Sequence, residues 1–301
     1  MTFETGTLMT DIPPRTYPFG VTSWIDTDQP DPDAAALFYG ELFGWTFSNA
    51  MPPTAESVYL IAQHDGQDAA AIATGVGPAA WNTYIATDDA DKTAAAIAAA
   101  GGTVLHGPEN VGRDVGQAGR MVLCADPQGA QFRLWQASRR LGAQAVNGPG
   151  CWNFSDLRTT DEHAAKAFYT QVFGWRYLDF GATVETMIAV DGYGEYLAAT
   201  ADPGIFERQA GAPAGFADVI GALEQVPDAG AEGGAADGAE AAHWRVKFSV
   251  ADRAASLDLV RELAGTVLGT EDQMWALLAD IRDPQGAEFT ISQFRQPGET
   301  G

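Results

Sequence analysis

The chain has 301 residues, with 40 Asp and Glu against 17 Lys and Arg and a formal net charge of -23. Such a surface repels a phosphate backbone, which sets nucleic acid aside as a partner, while 46% hydrophobic and 19% charged residues is the composition of a globular protein with buried cores. The longest weakly polar run, 93–101, is mostly alanine and far shorter than the roughly 20 apolar residues of a spanning helix, so no membrane partner is expected.

The length suits two domains of about 150 residues each. Residues 1–16 carry Glu4 and Asp11 without a basic start or an apolar stretch, so they read as a flexible tail and not as a secretory signal, and the protein is expected in the cytoplasm. A strand pattern at Val21 to Asp26 leads into a helix over Asp31 to Leu42, with Pro32 and acidic residues in its first turn. Strand patterns follow at Val58 to Gln63 and Ala69 to Thr74. The series repeats as a strand at Trp81 to Thr87, an alanine-rich helix over Asp88 to Ala100 stopped by Gly101 and Gly102, and strands at Gly119 to Cys124 and Ala130 to Gln136. The unit is βαβββ, twice.

This whole half then recurs. AALFYGELFGW from Ala35 to Trp45 returns as AKAFYTQVFGW from Ala165 to Trp175, and DPQGAQFRLWQ from Asp126 to Gln136 returns as DPQGAEFTISQ from Asp283 to Gln293. The second pair is spaced more widely than the first, so the second copy holds an insertion. It is expected within 201–242, where Gly, Ala, Pro and acidic residues dominate and no apolar period is sustained. The expected organisation is a first domain over 17–137, a connector over 138–149, a second domain over 150–296 and a tail over 297–301. Cys124 and Cys151 fall in different halves without a ligand-like spacing and read as packed thiols.

FYGELFGW and FYTQVFGW resemble the helix end of vicinal oxygen chelate domains, the superfamily of glyoxalases, bleomycin-resistance proteins and extradiol dioxygenases, and both DPQG turns resemble the turn before its last strand. More specifically, the chain resembles the actinobacterial two-domain glyoxalase-like type. It implies an α+β fold of two tandem domains, each of paired βαβββ modules curled around a concave pocket. It also implies a metal held by a first-strand His, a His on the strand opening the second module and a last-strand Glu. Mapped residue by residue, those positions hold Trp24, Asn82 and Arg133 in the first half and Phe154, Arg245 and Thr290 in the second. The inner-strand position falls near Ala71 to Ala73 and near Leu197 to Ala199, without a carboxylate. Neither set converges on a transition metal, so no metal and no cofactor is expected. His64, His106, His163 and His243 read as scattered, solvated side chains.

Strand alternation places Trp24, Asp26, Asn82, Tyr84, Gln131, Arg133 and Trp135 on one concave surface, and Phe154, Asp156, Arg245, Lys247, Glu288, Thr290 and Ser292 on the other. Asp26 and Asp156 correspond by spacing, and Arg133 and Arg245 are their expected guanidinium partners. Such ion pairs serve equally as structural ties. Trp24, Trp135 and Trp81 suit a flat aromatic or polycyclic small molecule, whereas Trp45 and Trp175 read as packing. Three functions stay open: a metal-independent protein that sequesters a natural product or drug; a metal-free isomerase, cyclase or lyase of secondary metabolism, using Asp26 or Asp156 as acid or base and Arg133 or Arg245 on an oxyanion; and a metalloenzyme with relocated ligands. A neighbouring guanidinium weakens an aspartate as a base, which favours binding. Two domains in one chain supply the pairing that single-domain relatives obtain by dimerising, so monomer and homodimer are both open.

Overall fold

The computed structural model describes residues 13–112, 117–181, 186–227 and 241–295; the first twelve residues and the expected tail over 297–301 lie outside the described residues. β1 (Thr22–Gln29), α1 (Pro32–Phe43), β2 (Thr46–Asn49), β3 (Tyr59–His64) and β4 (Gln67–Thr74) form the first module. β5 (Ala80–Ala86), α2 (Ala90–Ala99), β6 (Thr103–Val111), β7 (Gly119–Ala125) and β8 (Gln131–Ala137) form the second. The modules join side by side because β1 pairs antiparallel with β5, giving one eight-stranded sheet in the order β2-β3-β4-β1-β5-β8-β7-β6.

The second half repeats this plan with β9 (Trp152–Thr159), α3 (Glu162–Phe173), β10 (Arg176–Leu178), β11 (Thr186–Ala189), α4 (Tyr193–Thr200), α5 (Ile205–Arg208) and β12 (Val219–Gln225). It closes with β13 (His243–Ser249), α6 (Arg253–Glu262), β14 (Thr266–Asp272), β15 (Ala276–Arg282) and β16 (Glu288–Phe294), in the sheet order β10-β11-β12-β9-β13-β16-β15-β14. The fold is therefore α+β, with two tandem vicinal oxygen chelate domains. Among the described residues no helix is long and apolar enough to cross a membrane.

Each module announces its helix in the same way. Asp31, Asp89, Asp161 and Asp252 are N-caps whose side chains accept from Ala34, Lys92, Ala164 and Ala255 N–H groups, satisfying donors that have no partner inside the helix. α1 and α3 end on Gly44 and Gly174, both at φ 72°, where a side chain would be strained.

The insertion differs from its expected form. Between β3 and β4 the first half needs only the Asp65-Gly66 turn, whereas the second half places α4, α5 and a 3-10 turn over Phe216–Asp218 before β12. Val219–Gln225 lies inside the range expected to be a structureless insertion, yet it is an inner strand that pairs parallel with β9. Its apolar residues are buried by the sheet, a tertiary effect that overrides the glycine- and alanine-rich local composition. The expected inner-strand position at Leu197 to Ala199 is on α4 instead. The glycine- and alanine-rich stretch over 228–240 lies outside the described residues.

The repeated motifs prove to be the joint between the halves. The Asp283 carboxylate of the second half accepts from Tyr39 Oη at 2.8 Å and Gln29 Nε2 at 2.7 Å of the first, and Trp81 Nε1 donates to Tyr39 Oη at 3.0 Å. The mirrored set joins Tyr169 Oη to Asp126 at 3.2 Å, with Trp244 Nε1 donating to Tyr169 Oη at 3.2 Å. Gln285 takes both backbone polar groups of Asp31, donating to its carbonyl and accepting from its N–H, and Gln128 does the same for Asp161. Trp45 and Trp175, the FGW tryptophans, reach across to the carbonyls of Gly150 and Gly20 at 2.7 and 2.8 Å. Burial pushes the Tyr39 and Tyr169 phenols far above their ordinary range, and the adjoining Asp283 and Asp126 carboxylates add to it, so both stay donors. The two cores accordingly mix both halves: Ile25, Phe38 and Ile72 pack with Val246, Phe248 and Phe289 in one, and Ile85, Ile97 and Phe132 with Phe168, Phe173 and Leu223 in the other. Trp81 belongs to the first of these cores and not to the concave face, which corrects its expected place in an aromatic pocket.

Candidate functional site

On β1 the residues alternate between the two faces. Ile25, Thr27 and Gln29 are buried toward the other half, while Trp24, Asp26 and Asp28 point to the concave side. The register sets Asp26 opposite Asn82 on β5, and Tyr84 on β5 opposite Arg133 on β8. Four donors converge on Asp26: Asn82 Nδ2 and Arg133 Nη1 at 2.9 Å on Oδ1, Tyr59 Oη at 3.1 Å and Tyr84 Oη at 2.5 Å on Oδ2. Arg133 Nη2 and Asn82 Nδ2 also bond Asp28, at 3.0 and 2.9 Å. One guanidinium thus spans two carboxylates, one fully buried and one at the rim.

Desolvation alone would make the Arg133 cation less favourable, but Asp26, Tyr84 and Asp28 outweigh it and hold its pKa above the ordinary arginine value. Burial and the Asp26 charge push Tyr84 and Tyr59 well up, so both phenols remain proton donors to the carboxylate. Trp24 Nε1 donates to Tyr59 Oη at 3.0 Å, and the Trp135 ring meets Tyr84 edge to face with centroids 6.3 Å apart. Trp24 and Trp135 are half-buried, so both indoles border this network with part of their surface open. Gln131 is exposed at the start of β8 and takes no part in the hydrogen bonds to Asp26 and Asp28 among the described residues, contrary to its expected place in the lining.

Tyr59 and Asp28 were missed by sequence reasoning. Asp28 is two residues beyond Asp26 and could have been found by alternation. Tyr59 depends on the register between β3 and β4, which carries a shift that no local pattern reveals.

The concave face of the second domain is wired differently. Asp156 pairs with Lys247 at 2.5 Å and accepts from the Ala222 N–H at 2.8 Å, while Arg245 reaches Glu288 at 2.7 Å. This corrects the expected Asp156 and Arg245 pair: the two are opposite in register, but Arg245 extends toward the start of β16 and leaves the aspartate to Lys247. Thr290 Oγ1 donates to Asp280 at 2.5 Å, Ser292 is buried on β16, and Phe154 is half-buried opposite Lys247. Arg158 bridges Glu224 at 3.2 Å and Asp280 at 2.9 Å, and Arg282 joins Glu288. Burial raises the Glu224 pKa, with Arg158 opposing. For Asp280 and Glu288 burial pulls upward too, but Arg158 and Thr290 in one case, and Arg282 and Arg245 in the other, leave them below the usual carboxylate range. His243, expected to be solvated, is half-buried with Nε2 3.3 Å from Arg245 Nε. Glu224 escaped sequence reasoning because β12 lies within the range expected to be insertion, and Arg158, Asp280 and Arg282 because their pairing depends on contacts between strands far apart in the chain.

A glyoxalase-like domain model matches residues 24–135. CFP32 of Mycobacterium tuberculosis, a provisional glyoxylase by name, is 32% identical over 284 residues, 91% of this chain and 95% of the relative. The anthracycline biosynthesis protein DnrV of Streptomyces peucetius is 32% identical over 295 residues, 92% and 94% of the two chains. Among solved structures, the 2,3-dioxygenase LapB from Pseudomonas sp. KL28 superposes with a TM-score of 0.57 at 12% identity, covering 93% of this chain and 95% of that one. The Mn(II)-bound glyoxalase from Novosphingobium aromaticivorans gives 0.56 at 11%, covering 91% and 82%. The protein is a tandem-domain member of the vicinal oxygen chelate superfamily. Within it, the chain belongs to the glyoxalase-like family that includes CFP32 and DnrV.

The metal that this superfamily implies does not fit the residues present. In the first domain an indole, a carboxamide already spent on Asp26 and Asp28, and a guanidinium fill the three ligand positions, and the buried carboxylate beside them, Asp26, is neutralised by that guanidinium. In the second, Glu224 does supply an inner-strand carboxylate, but Arg158 holds it, and Phe154, Arg245 and Thr290 complete the set. Among the described residues no group of three or more His, Cys, Asp or Glu side chains is placed to hold a metal ion.

Proposed function

We propose that the protein is a metal-independent binder of a planar aromatic or polycyclic compound of secondary metabolism, and that the concave face of the first domain is its site. The observation that carries this reading is the Arg133 guanidinium: it spans Asp26 and Asp28 at the position of the family's last-strand ligand, between the half-buried indoles of Trp24 and Trp135. A cation built into the chain closes the sheet there, and the aromatic rim supplies flat contact area with a few fixed polar groups. The relationship to DnrV, named for anthracycline biosynthesis, supports a polycyclic ligand.

Binding is favoured over acid–base turnover by Asp26 because four donors already occupy the acceptor sites of the carboxylate and leave no lone pair facing a substrate proton. The tailoring reading keeps one support, the biosynthetic names of DnrV and its Streptomyces relative. Titrating chelator-treated protein with 1,4-dihydroxyanthraquinone while following tryptophan fluorescence tests both. Saturable quenching that Trp24→Ala abolishes, with the compound recovered unchanged, supports sequestration. A recovered product of altered mass or retention makes the protein a tailoring enzyme. Binding that appears only after a stoichiometric metal is restored overturns metal independence and points to relocated ligands.

A further inference from the structure

We infer a second subsite in the first domain, a cavity beside the Asp26 network that takes a ring-sized, hydroxylated substituent carrying a protonated amine. The inference deepens the proposed function, since it assigns a distinct part of the same ligand. The cavity has a volume of about 220 Å³ and lies where the start of β1, the end of β8, the connector and residue 17 meet. A cavity of roughly 150 Å³ accommodates a benzene ring, so a substituted six-membered ring fits. Trp135 is the shared wall: it lines the cavity and packs against Tyr84, whose hydroxyl bonds Asp26.

The walls are pinned, not incidental. Trp135 Nε1 donates to the Arg140 carbonyl at 2.9 Å, and its ring lies so close to Gly119 that a Cβ there would sit 2.5 Å from it. The connector crosses tightly at Gly142, at φ 109°, where a Cβ would meet the Ser23 carbonyl at 2.4 Å and the Tyr17 ring at 2.8 Å. Tyr17 in turn donates to the Ala143 carbonyl at 2.6 Å, and its neighbour Thr16 is hydrogen-bonded to Tyr196 on the inserted α4 of the second domain. The insertion thus braces one wall of the first domain's cavity.

The chemistry of the lining selects the ligand. α2 begins beside the cavity, and a free helix N-terminus there would favour an anion. Two of its first three amides are already taken: Ala90 N–H donates to Gln136 Oε1 at 3.0 Å and Lys92 N–H to the Asp89 cap at 3.0 Å. The charge left at the cavity is the Asp88 carboxylate, which is exposed and has no ion-pair or hydrogen-bond partner among the described residues. Ser23 also lines the cavity, with its Oγ buried and unpartnered. A carboxylate beside an indole suits an ammonium group, and hydroxyl partners suit a hydroxylated ring.

The test is calorimetric titration of the full chain with trans-2-aminocyclohexanol and with cyclohexanol. The amine is expected to bind at least about tenfold more tightly, the scale of one charge-assisted hydrogen bond, and Asp88→Asn is expected to erase that margin. Leu141→Trp, which fills the cavity, is expected to abolish binding of both. Equal binding of amine and alcohol, no binding of either, or a margin that survives Asp88→Asn overturns the inference. Quenching by 1,4-dihydroxyanthraquinone that responds to Trp24→Ala, with no amine preference, leaves the concave-face reading standing and sinks the subsite. Amine binding without anthraquinone binding does the reverse.

Discussion

Replacing Arg133 by Met removes the cation that spans Asp26 and Asp28 while keeping an unbranched stem. Asp26 is 3% exposed, so its charge is stranded in the protein interior. Breaking a fully buried pair by removing one partner costs about 3–5 kcal/mol. Two features reduce the figure here. Asp28 is 35% exposed and recovers solvation, and Asn82, Tyr59 and Tyr84 still donate to Asp26. The expected loss is therefore about 2–4 kcal/mol, read as a lower urea midpoint at pH 7 by tryptophan fluorescence. Adding Asp26→Asn to Arg133→Met removes the stranded charge and is expected to restore at least half of that loss, a coupling that a double-mutant cycle measures directly. A loss below about 1 kcal/mol, or strictly additive single effects, would refute the assignment of Arg133 as the internal cation of this face.

Tyr39→Phe and Tyr169→Phe each leave a buried tryptophan N–H and an interdomain aspartate short of a partner, so each is expected to cost about 1–3 kcal/mol. Because both cores mix the halves, the loss should appear in one unfolding transition seen alike by fluorescence and circular dichroism; two separated transitions would contradict the shared-core packing. Ser23→Ala deletes a buried hydroxyl that has no partner and is expected to raise stability by about 1 kcal/mol, measurable in the same urea series. Asp280 and Glu288 have folded pKa values below their unfolded ones, so they stabilise the protein above the ordinary carboxylate range near about 4 and lose that contribution as pH falls through the lowered values. Asp280→Asn should flatten this acid limb in a series of urea midpoints against pH, and an unchanged limb would discard the linkage. Burial pushes the Cys124 and Cys151 thiols up to about 12 and about 11, so the folded protein is expected to resist Ellman's reagent at pH 8 until denaturant is added.

The sequence alone was enough to establish the repeat, the βαβββ unit and the family, because these depend on local signals: alternation in strands, aspartate caps before helices, and the FGW and DPQG motifs set by turn geometry. It also placed Trp24, Asp26, Asn82, Tyr84 and Arg133 on one face, since side-chain direction along a strand follows from parity. Pairing between strands was decided only in three dimensions. Register brought Tyr59 to Asp26, gave Asp156 to Lys247 and Arg245 to Glu288, and turned Val219–Gln225 from apparent filler into an inner strand. The role of the motifs was equally hidden, because Asp283 and Tyr39 lie far apart in the chain and meet only when the two halves pack. Parity is a property of one strand, whereas partners across a sheet or a domain joint are settled by bulges, by the length of competing side chains and by which surfaces bury one another.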